Sequence, residues 1–201
     1  MPDGYEHDVF LSFPSRGNVF PWVVNHLHPL LKEALLDLYG AEKAVYCYTD
    51  RDDGLDWPND LARAIRRSRL LVSVLCPTYF YSSPWSCAEW RSFHMRQAAL
   101  GYGTEAKPRC LILPVLYCGE IGSFPEEARR VRVVTDLSKH WNPGPSYRDA
   151  PGYHDLRTAV RELARQVLEG LESAPDWEDG WPVGEAVSFP RPKIMKPTLA
   201  P

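Results

Sequence analysis

Glu89 and Trp85 are the pair whose types and spacing suggest chemistry in this sequence. They lie in Tyr79-Phe-Tyr-Ser-Ser-Pro-Trp-Ser-Cys-Ala-Glu-Trp90, directly after the apolar run Leu70-Leu-Val-Ser-Val-Leu-Cys76. The stretch reads as a strand, a turn and the opening of a helix, and residues four apart on a helix share a face. A carboxylate stabilises developing positive charge and an indole face attracts a cation. The carboxyl end of a buried strand is where an α/β fold usually places such groups. Ser86-Cys-Ala-Glu89 also fits a capping box, with Ser86 capping the helix and Glu89 returning a hydrogen bond. Local sequence leaves both readings open, so the elements around the pair have to decide.

Those elements alternate. His7-Asp-Val-Phe-Leu-Ser-Phe13 reads as a buried first strand ended by Pro14-Ser-Arg-Gly17. Pro21 opens an amphipathic helix with apolar positions at Phe20, Val23, Val24, Leu27, Leu30, Leu31, Ala34, Leu35 and Leu38. Pro29 predicts a kink near His28, and Gly40 a stop. Ala44–Tyr48 is strand two, and the polar loop from Thr49 to Asp56 leads to a helix at Trp57 with Pro58 in its first turn. Arg69–Cys76 is strand three, and the helix carrying Glu89 runs to about Leu100. Ser83 reads as its cap, since Pro84 follows at a first-turn position. Cys110–Tyr117 is strand four, in which Pro114 predicts a bulge or a strand end. Val131–Leu137 is strand five, and Tyr153–Leu171 is a final amphipathic helix. The stretch 174–201 is Pro-rich and aperiodic and reads as a tail, disordered or draped over the domain, with Trp177 and Trp181 as local anchors.

Five short strands alternating with helices imply a flavodoxin-like α/β fold, a doubly wound parallel sheet with helices on both faces. The simplest order is 2-1-3-4-5, which puts the switch point between strands one and three. That edge collects Ser12 and Phe13 from strand one, the Asp50–Trp57 loop from strand two, and Trp85 with Glu89 from beyond strand three. The topology therefore favours a functional reading of Glu89.

Composition narrows the class. The 201 residues favour one domain, 1–172, plus the 173–201 extension. A net charge of −3 gives no bulk reason to expect nucleic acid. The arginines at 63, 66, 67 and 69 read as a solvated helix face. The five cysteines, 47, 76, 87, 110 and 118, form no C-x-x-C pair and read as buried reduced thiols with no disulfide framework or zinc site. The start lacks a signal-peptide pattern and no apolar stretch reaches the ~18 residues of a membrane span. The expected setting is the cytoplasm, with no membrane contact. His26-Leu-His28 cannot present both imidazoles on one helix face, and no metal site is expected.

Four boxes in order resemble the TIR (Toll/interleukin-1 receptor) domain family over about residues 5–172: Asp8-Val-Phe-Leu-Ser-Phe13, Gly54-Leu-Asp-Trp-Pro through Arg69, Ser73-Val-Leu-Cys-Pro-Thr-Tyr-Phe with Trp85-Ser-Cys-Ala-Glu89, and Leu111-Ile-Leu-Pro-Val-Leu. Some members of that family cleave NAD⁺ through the glutamate that Glu89 matches; others are scaffolds acting through TIR–TIR contacts. The resemblance implies a bacterial-type NAD⁺ nucleosidase in immune or antiviral defence, with NAD⁺ as substrate and no cofactor. Self-association and a sensor or activator in trans are the implied partners. The alternative is a non-catalytic TIR adaptor. In the enzymatic reading Glu89 is catalytic, and Ser12, Phe13, Arg16, Asp50, Trp57 and Trp85 bind substrate. Arg16 stands in for the arginine that some relatives carry where this chain has Pro14 and Ser15, and the loop before Trp57 is shorter than is usual. Nicotinamide leaves its pyridinium as a neutral molecule, so one carboxylate suffices where ordinary glycoside hydrolysis uses two. A flavodoxin-like receiver would need an acidic cluster after strand one, where this chain has Ser12-Phe-Pro-Ser15.

Overall fold

The computed structural model describes residues 4–48 and 57–191; Asp50 and the side chain of Trp57 lie outside that set. Five parallel strands form one sheet in the order β2-β1-β3-β4-β5. They are β1 (His7–Ser12), β2 (Val45–Tyr46), β3 (Ser68–Leu75), β4 (Ile112–Leu116) and β5 (Thr135–Asp136). The helices are α1 (Val19–Trp22), α2 (His28–Tyr39), α3 (Trp57–Arg66), α4 (Pro77–Tyr81), α5 (Pro84–Leu100), α6 (Glu126–Arg129) and α7 (Gly152–Glu172). Every residue from Leu70 to Leu75 is at most 1% exposed, although their side chains alternate between faces. A central strand buried on both sides is what a parallel sheet sandwiched by helices requires. β1 pairs with β3 from His7↔Ser68 to Ser12↔Ser73, and β3 pairs with β4 from Leu71↔Ile112 to Leu75↔Leu116.

Two prolines act differently from each other. Pro29 has no N–H for the carbonyl one turn earlier, and the five residues Val23–Leu27 widen into a π-helical turn between α1 and α2. The freed carbonyl of Asn25 accepts a hydrogen bond from Arg148 Nη2 at 2.8 Å, so the predicted kink is relieved by a partner from another element. Pro114, expected at a bulge or strand end, instead sits mid-strand in β4, in continuous register opposite Ser73. Its carbonyl accepts from Val134 N at 2.9 Å, so its missing N–H also points toward β5, where the ladder is only two residues long. Further differences are local. β1, β2, β4 and β5 are shorter than the runs that announce them, β3 keeps its length one residue earlier, and α4 is an extra turn of helix where the sequence suggested a plain turn.

Arg96 is a buried cation that the sequence did not single out. It is 0% exposed, and its guanidinium donates to Ser68 O at 2.7 Å and Ile65 O at 3.0 Å. It thereby ties α5 to the end of α3 and the start of β3, and it stacks over Phe93 and Trp181. Burial pushes its pKa down to about 10, still far above neutrality. Beyond α7, residues 174–191 contain no helix or strand and lie against the domain. Trp181 is 4% exposed and its carbonyl accepts from Arg66 Nε at 3.2 Å. Gly184 N donates to Ser92 Oγ at 2.8 Å, and Phe189 N donates to Phe80 O at 2.9 Å. Gly4, at φ +123°, makes room for Trp177: a Cβ there would stand 2.0 Å from the indole. The arginines at 63 and 67 both pair with Glu6, at 2.6 and 3.0 Å.

His26 links the π-helical turn to the loop before α7, with Nε2 donating to Gly144 O at 3.1 Å between the rings of Tyr147 and Tyr153. Burial holds its pKa below the ordinary 6.5, against the opposing pull of the Gly144 bond and alongside Arg148. The folded imidazole is neutral, and the unfolded chain binds the proton more readily. Stability is therefore complete above pH 6.5 and falls as pH drops through the depressed folded value, with a slope of at most ~1.4 kcal/mol per pH unit. His26→Gln is expected to flatten that slope in urea-unfolding free energies measured from pH 7.5 to 5. An unchanged slope would assign the acid sensitivity to His7 and His140, which burial also depresses.

Candidate functional site

β1 and β3 are neighbours in the sheet while β2 lies beyond β1, so the chain reverses its winding direction between them. At that crevice β1 ends in Ser12 and β3 ends just before α4. Pro77 fixes the first turn of α4, which delivers Tyr79 back under the sheet edge at 0% exposure. Pro84 does the same for α5, so Trp85 lies in the first turn and Glu89 in the second. Glu89 is therefore too deep in the helix to close a capping box with Ser86. Ser86 Oγ instead pairs with Ser83 Oγ at 2.7 Å, and Ser83, at the N-cap position, makes no side-chain cap bond.

The three elements converge on one hydrogen-bonded chain. Ser12 Oγ donates to Glu89 Oε2 at 2.5 Å. Ser12 has a single proton, so the 2.6 Å contact between Ser12 Oγ and Tyr79 Oη must have the phenol as donor. Burial, followed by the charge of Glu89, raises the Tyr79 pKa well above 10, which keeps the phenol protonated for that role. Glu89 is 8% exposed. A carboxylate so placed has little water around it and a fixed donor on one oxygen, which fixes its orientation.

An open cleft of about 390 Å³ adjoins this end of α5, lined by Pro14, Ser15, Arg16, Thr78, Ser82, Ser83, Pro84 and Trp85. Trp85 is 39% exposed there. The structure thus brings Ser12, Arg16, Trp85 and Glu89 to one edge. Phe13 is placed differently: it is 4% exposed and packs with Phe20 and Tyr48, ring centroids 6.2 and 5.0 Å away. It supports the edge from beneath, where an open stacking face had been expected. Trp57 opens α3, and Asp50 falls in the stretch outside the described residues. A larger hollow of about 590 Å³ lies at the opposite ends of the strands, beside Pro108, Ile112 and Gln166, so size alone does not select the site.

Sequence reasoning missed Tyr79 and Tyr48. Tyr79 belongs to the run Thr78-Tyr-Phe after β3, but the unforeseen α4 is what turns it inward. Tyr48 closes the β2 run, and its pKa is raised by burial, then by Cys47 and by the charge of Glu89. No group of three or more His, Cys, Asp or Glu side chains that could hold a metal occurs among the described residues. Nor is any helix among them long and apolar enough to cross a membrane.

A family model and one of two solved structures agree with this architecture. The model of the TIR domain matches residues 9–149. The crystal structure of the TIR domain of the Toll-related receptor TRR-2 from Hydra magnipapillata superimposes with a TM-score of 0.50 at 17% identity, covering 81% of this chain and 98% of that one. The TIR domains of the activated Roq1 resistosome that recognises the pathogen effector XopQ match at 21% identity and a TM-score of 0.36, covering 80% of this chain and 84% of that one. No curated protein matches.

The hydrogen-bonded chain has a measurable cost of removal. Ser12→Ala takes the donor from a buried carboxylate and is expected to destabilise the fold by about 1.5–3 kcal/mol. Tyr79→Phe removes a neutral bond and should cost about 1 kcal/mol. In Ser12→Ala the phenol loses its acceptor, so adding Tyr79→Phe should cost less than it does alone. Denaturant unfolding of the two single variants and the double variant checks the coupling, and strict additivity would show that Ser12 does not relay between the two.

Proposed function

The chain belongs to the TIR domain family, and we propose that it is an NAD⁺-cleaving member, an NAD⁺ nucleosidase. The observation that carries the reading is the buried Glu89 carboxylate, oriented by Ser12 at the switch point of the sheet beside the cleft that holds Trp85 and Arg16. In the reaction the bond between ribose C1′ and the pyridinium nitrogen breaks, and its electron pair stays with the nitrogen. Nicotinamide leaves neutral, without a proton from an acid. The remaining ribosyl cation is oxocarbenium-like, and the ionised Glu89 lies where it can stabilise that charge and hold the ribose hydroxyls. Capture by water forms a new C1′–O bond, releases a proton and gives ADP-ribose. Capture by a nitrogen of the substrate's own adenine gives a cyclic isomer.

The other roles follow from placement. Trp85 offers an exposed indole for stacking on the cationic ring. Arg16, on the rim of the same cleft, suits the diphosphate. Ser12 positions the carboxylate, while Phe13 and Tyr48 form the wall behind it. For Trp57 and Asp50 the substrate-binding role rests on the family resemblance alone, not on placement. Glu89 has only a small exposed edge, which suits an enzyme whose pocket is completed by a neighbouring TIR domain. Self-association, triggered by a sensor or activator in trans, then controls turnover, and a role in immune or antiviral defence follows from the toxicity of unrestrained NAD⁺ loss. The setting proposed is the cytoplasm, where NAD⁺ is abundant.

The test is nicotinamide release from NAD⁺ by concentrated protein with a crowding agent, comparing wild type with Glu89→Gln. Glu89→Gln keeps shape and the Ser12 hydrogen bond but removes the charge, and is expected to lower the rate about 10²–10³-fold with little change in unfolding midpoint. A glutamine variant as fast as wild type would remove Glu89 from the chemistry. Wild type that binds other TIR domains yet releases no nicotinamide would favour the adaptor reading.

A further inference from the structure

Two of the five cysteines meet at the carboxyl ends of β3 and β4, next to the site but outside the Glu89 chain. Cys76 is the last residue before α4, and Cys118 lies just beyond β4, where its N–H reaches Leu75 O at 3.4 Å. Gly119, at φ +94°, folds the chain back so closely that a Cβ there would stand 2.9 Å from the ring of Pro77. The turn after β4 is thus pressed onto the turn after β3. Each thiol is the strongest electrostatic influence on the other. Both line an open cleft of about 270 Å³ together with Arg16, Thr78, Tyr117 and Trp141. Cys76 is 2% exposed and Cys118 is partly exposed, so one thiol is reachable and the other lies directly behind it.

We propose that Cys118 and Cys76 form a peroxide-reactive pair in which Cys118 is attacked first and Cys76 resolves it to a disulfide. A reactive thiol needs thiolate character, access and an electropositive surrounding. The cleft supplies access and has Arg16 in its lining, and the neighbouring Cys76 thiol favours charge on Cys118. That contact holds the Cys118 pKa down to about 7, while Cys76 is pushed far up by the same contact and by burial. The other three thiols differ: burial raises Cys87 and Cys110, Cys47 is buried, and Cys87 donates to Tyr79 O and Phe80 O. In the first step the Cys118 thiolate attacks a peroxide oxygen; an S–O bond forms, the O–O bond breaks and hydroxide leaves, taking a proton to become water. The sulfenic acid is then attacked by Cys76. An S–S bond forms, the S–O bond breaks, and the Cys76 proton leaves with the hydroxyl as a second water. Two thiols are oxidised and one peroxide is reduced. Leu75 pairs with Leu116, so Cys76 and Cys118 leave neighbouring strand ends one residue out of register; the strands lie about 4.8 Å apart and a disulfide spans ~4.4–6.8 Å between Cα atoms. Cys76 precedes Tyr79 by three residues, and Arg16 and Thr78 line both clefts, so the bridge would clamp the turn from which the Glu89 chain hangs.

The experiment is peptide-resolved mass spectrometry of the full chain after hydrogen peroxide at pH 7.5, beside Cys76→Ala. Wild type is expected to lose two thiols and yield a Cys76–Cys118 linked peptide. Cys76→Ala is expected to trap sulfenic acid on Cys118 as a dimedone adduct. Oxidation of Cys110, the other partly exposed thiol, ahead of Cys118 would overturn the proposal, as would a wild-type chain that keeps all five thiols. A second readout needs no oxidant: alkylation of Cys118 by iodoacetamide should rise through pH about 7 in wild type and at higher pH in Cys76→Ala, where the neighbouring thiol is gone. An identical profile in both would show that Cys76 does not activate Cys118.

Discussion

Parallel pairing of β1 with β3 is the constraint on which the site depends. A parallel neighbour that is not adjacent in sequence forces the chain to cross over, and here the crossing carries α1, α2, β2 and α3 away before β3 returns. The register then sets Ser12 opposite Ser73, two residues before the end of β3. A slip of one residue would turn Ser12 to the other face and leave the carboxylate of Glu89 without its donor. Hydrophobic burial enforces the register, because Val9, Phe10 and Leu11 on β1 and every residue from Leu70 to Leu75 on β3 are within 2% of full burial. The sheet core therefore fixes the geometry of the polar groups at its edge.

What the sheet fixes on the inside, prolines fix at the exits. Pro77 and Pro84 each stand at the first helical position, where a missing N–H costs nothing and a preset φ favours the turn. Between them they convert a strand end into two short-linked helices, of which the first returns Tyr79 and the second supplies Glu89. The placement of α5 is then secured at its far end by Arg96, whose guanidinium fills two carbonyl positions on α3 and β3. A buried cation held by carbonyls alone is costly in isolation, but the Trp181 ring that covers it comes from the segment beyond α7. The same segment reaches Phe80 on α4 and Ser92 on α5, so residues 174–191 brace both helices that carry the site.

Much of the fold was legible because it is written in period. The apolar runs at His7–Phe13, Arg69–Cys76 and Cys110–Tyr117 mark strands, the 3.6-residue spacing marks α2 and α7, and the order 2-1-3-4-5 follows from their alternation. Glu89, Trp85 and Ser12 were reachable because a topological rule, not a local motif, collects them, and Arg16 was reachable only through the family resemblance. Tyr79 was not reachable, since nothing in Thr78-Tyr-Phe says that an extra helical turn will rotate it inward. Phe13 shows the converse limit: the sequence placed it at the right strand end but could not say whether its ring faces solvent or core. Pro114 shows a third. The rule that proline ends strands concerns the side on which the N–H is missed, and sidedness depends on how long the neighbouring strand is.

Burial and access conflict at this edge. In the proposed reaction Glu89 needs low water to act strongly on a cation, yet the substrate must reach it, and at 8% exposure burial prevails in the isolated chain. Trp85 has the opposite balance, exposed and adjacent to an open cleft. A surface with a partly exposed indole one turn from a sequestered carboxylate is suited to completion by a second body, which would shield the indole and define the approach to the carboxylate together. In the proposed function that arrangement would make activity depend on assembly without any change in the Tyr79–Ser12–Glu89 chain, which is already formed within a single copy.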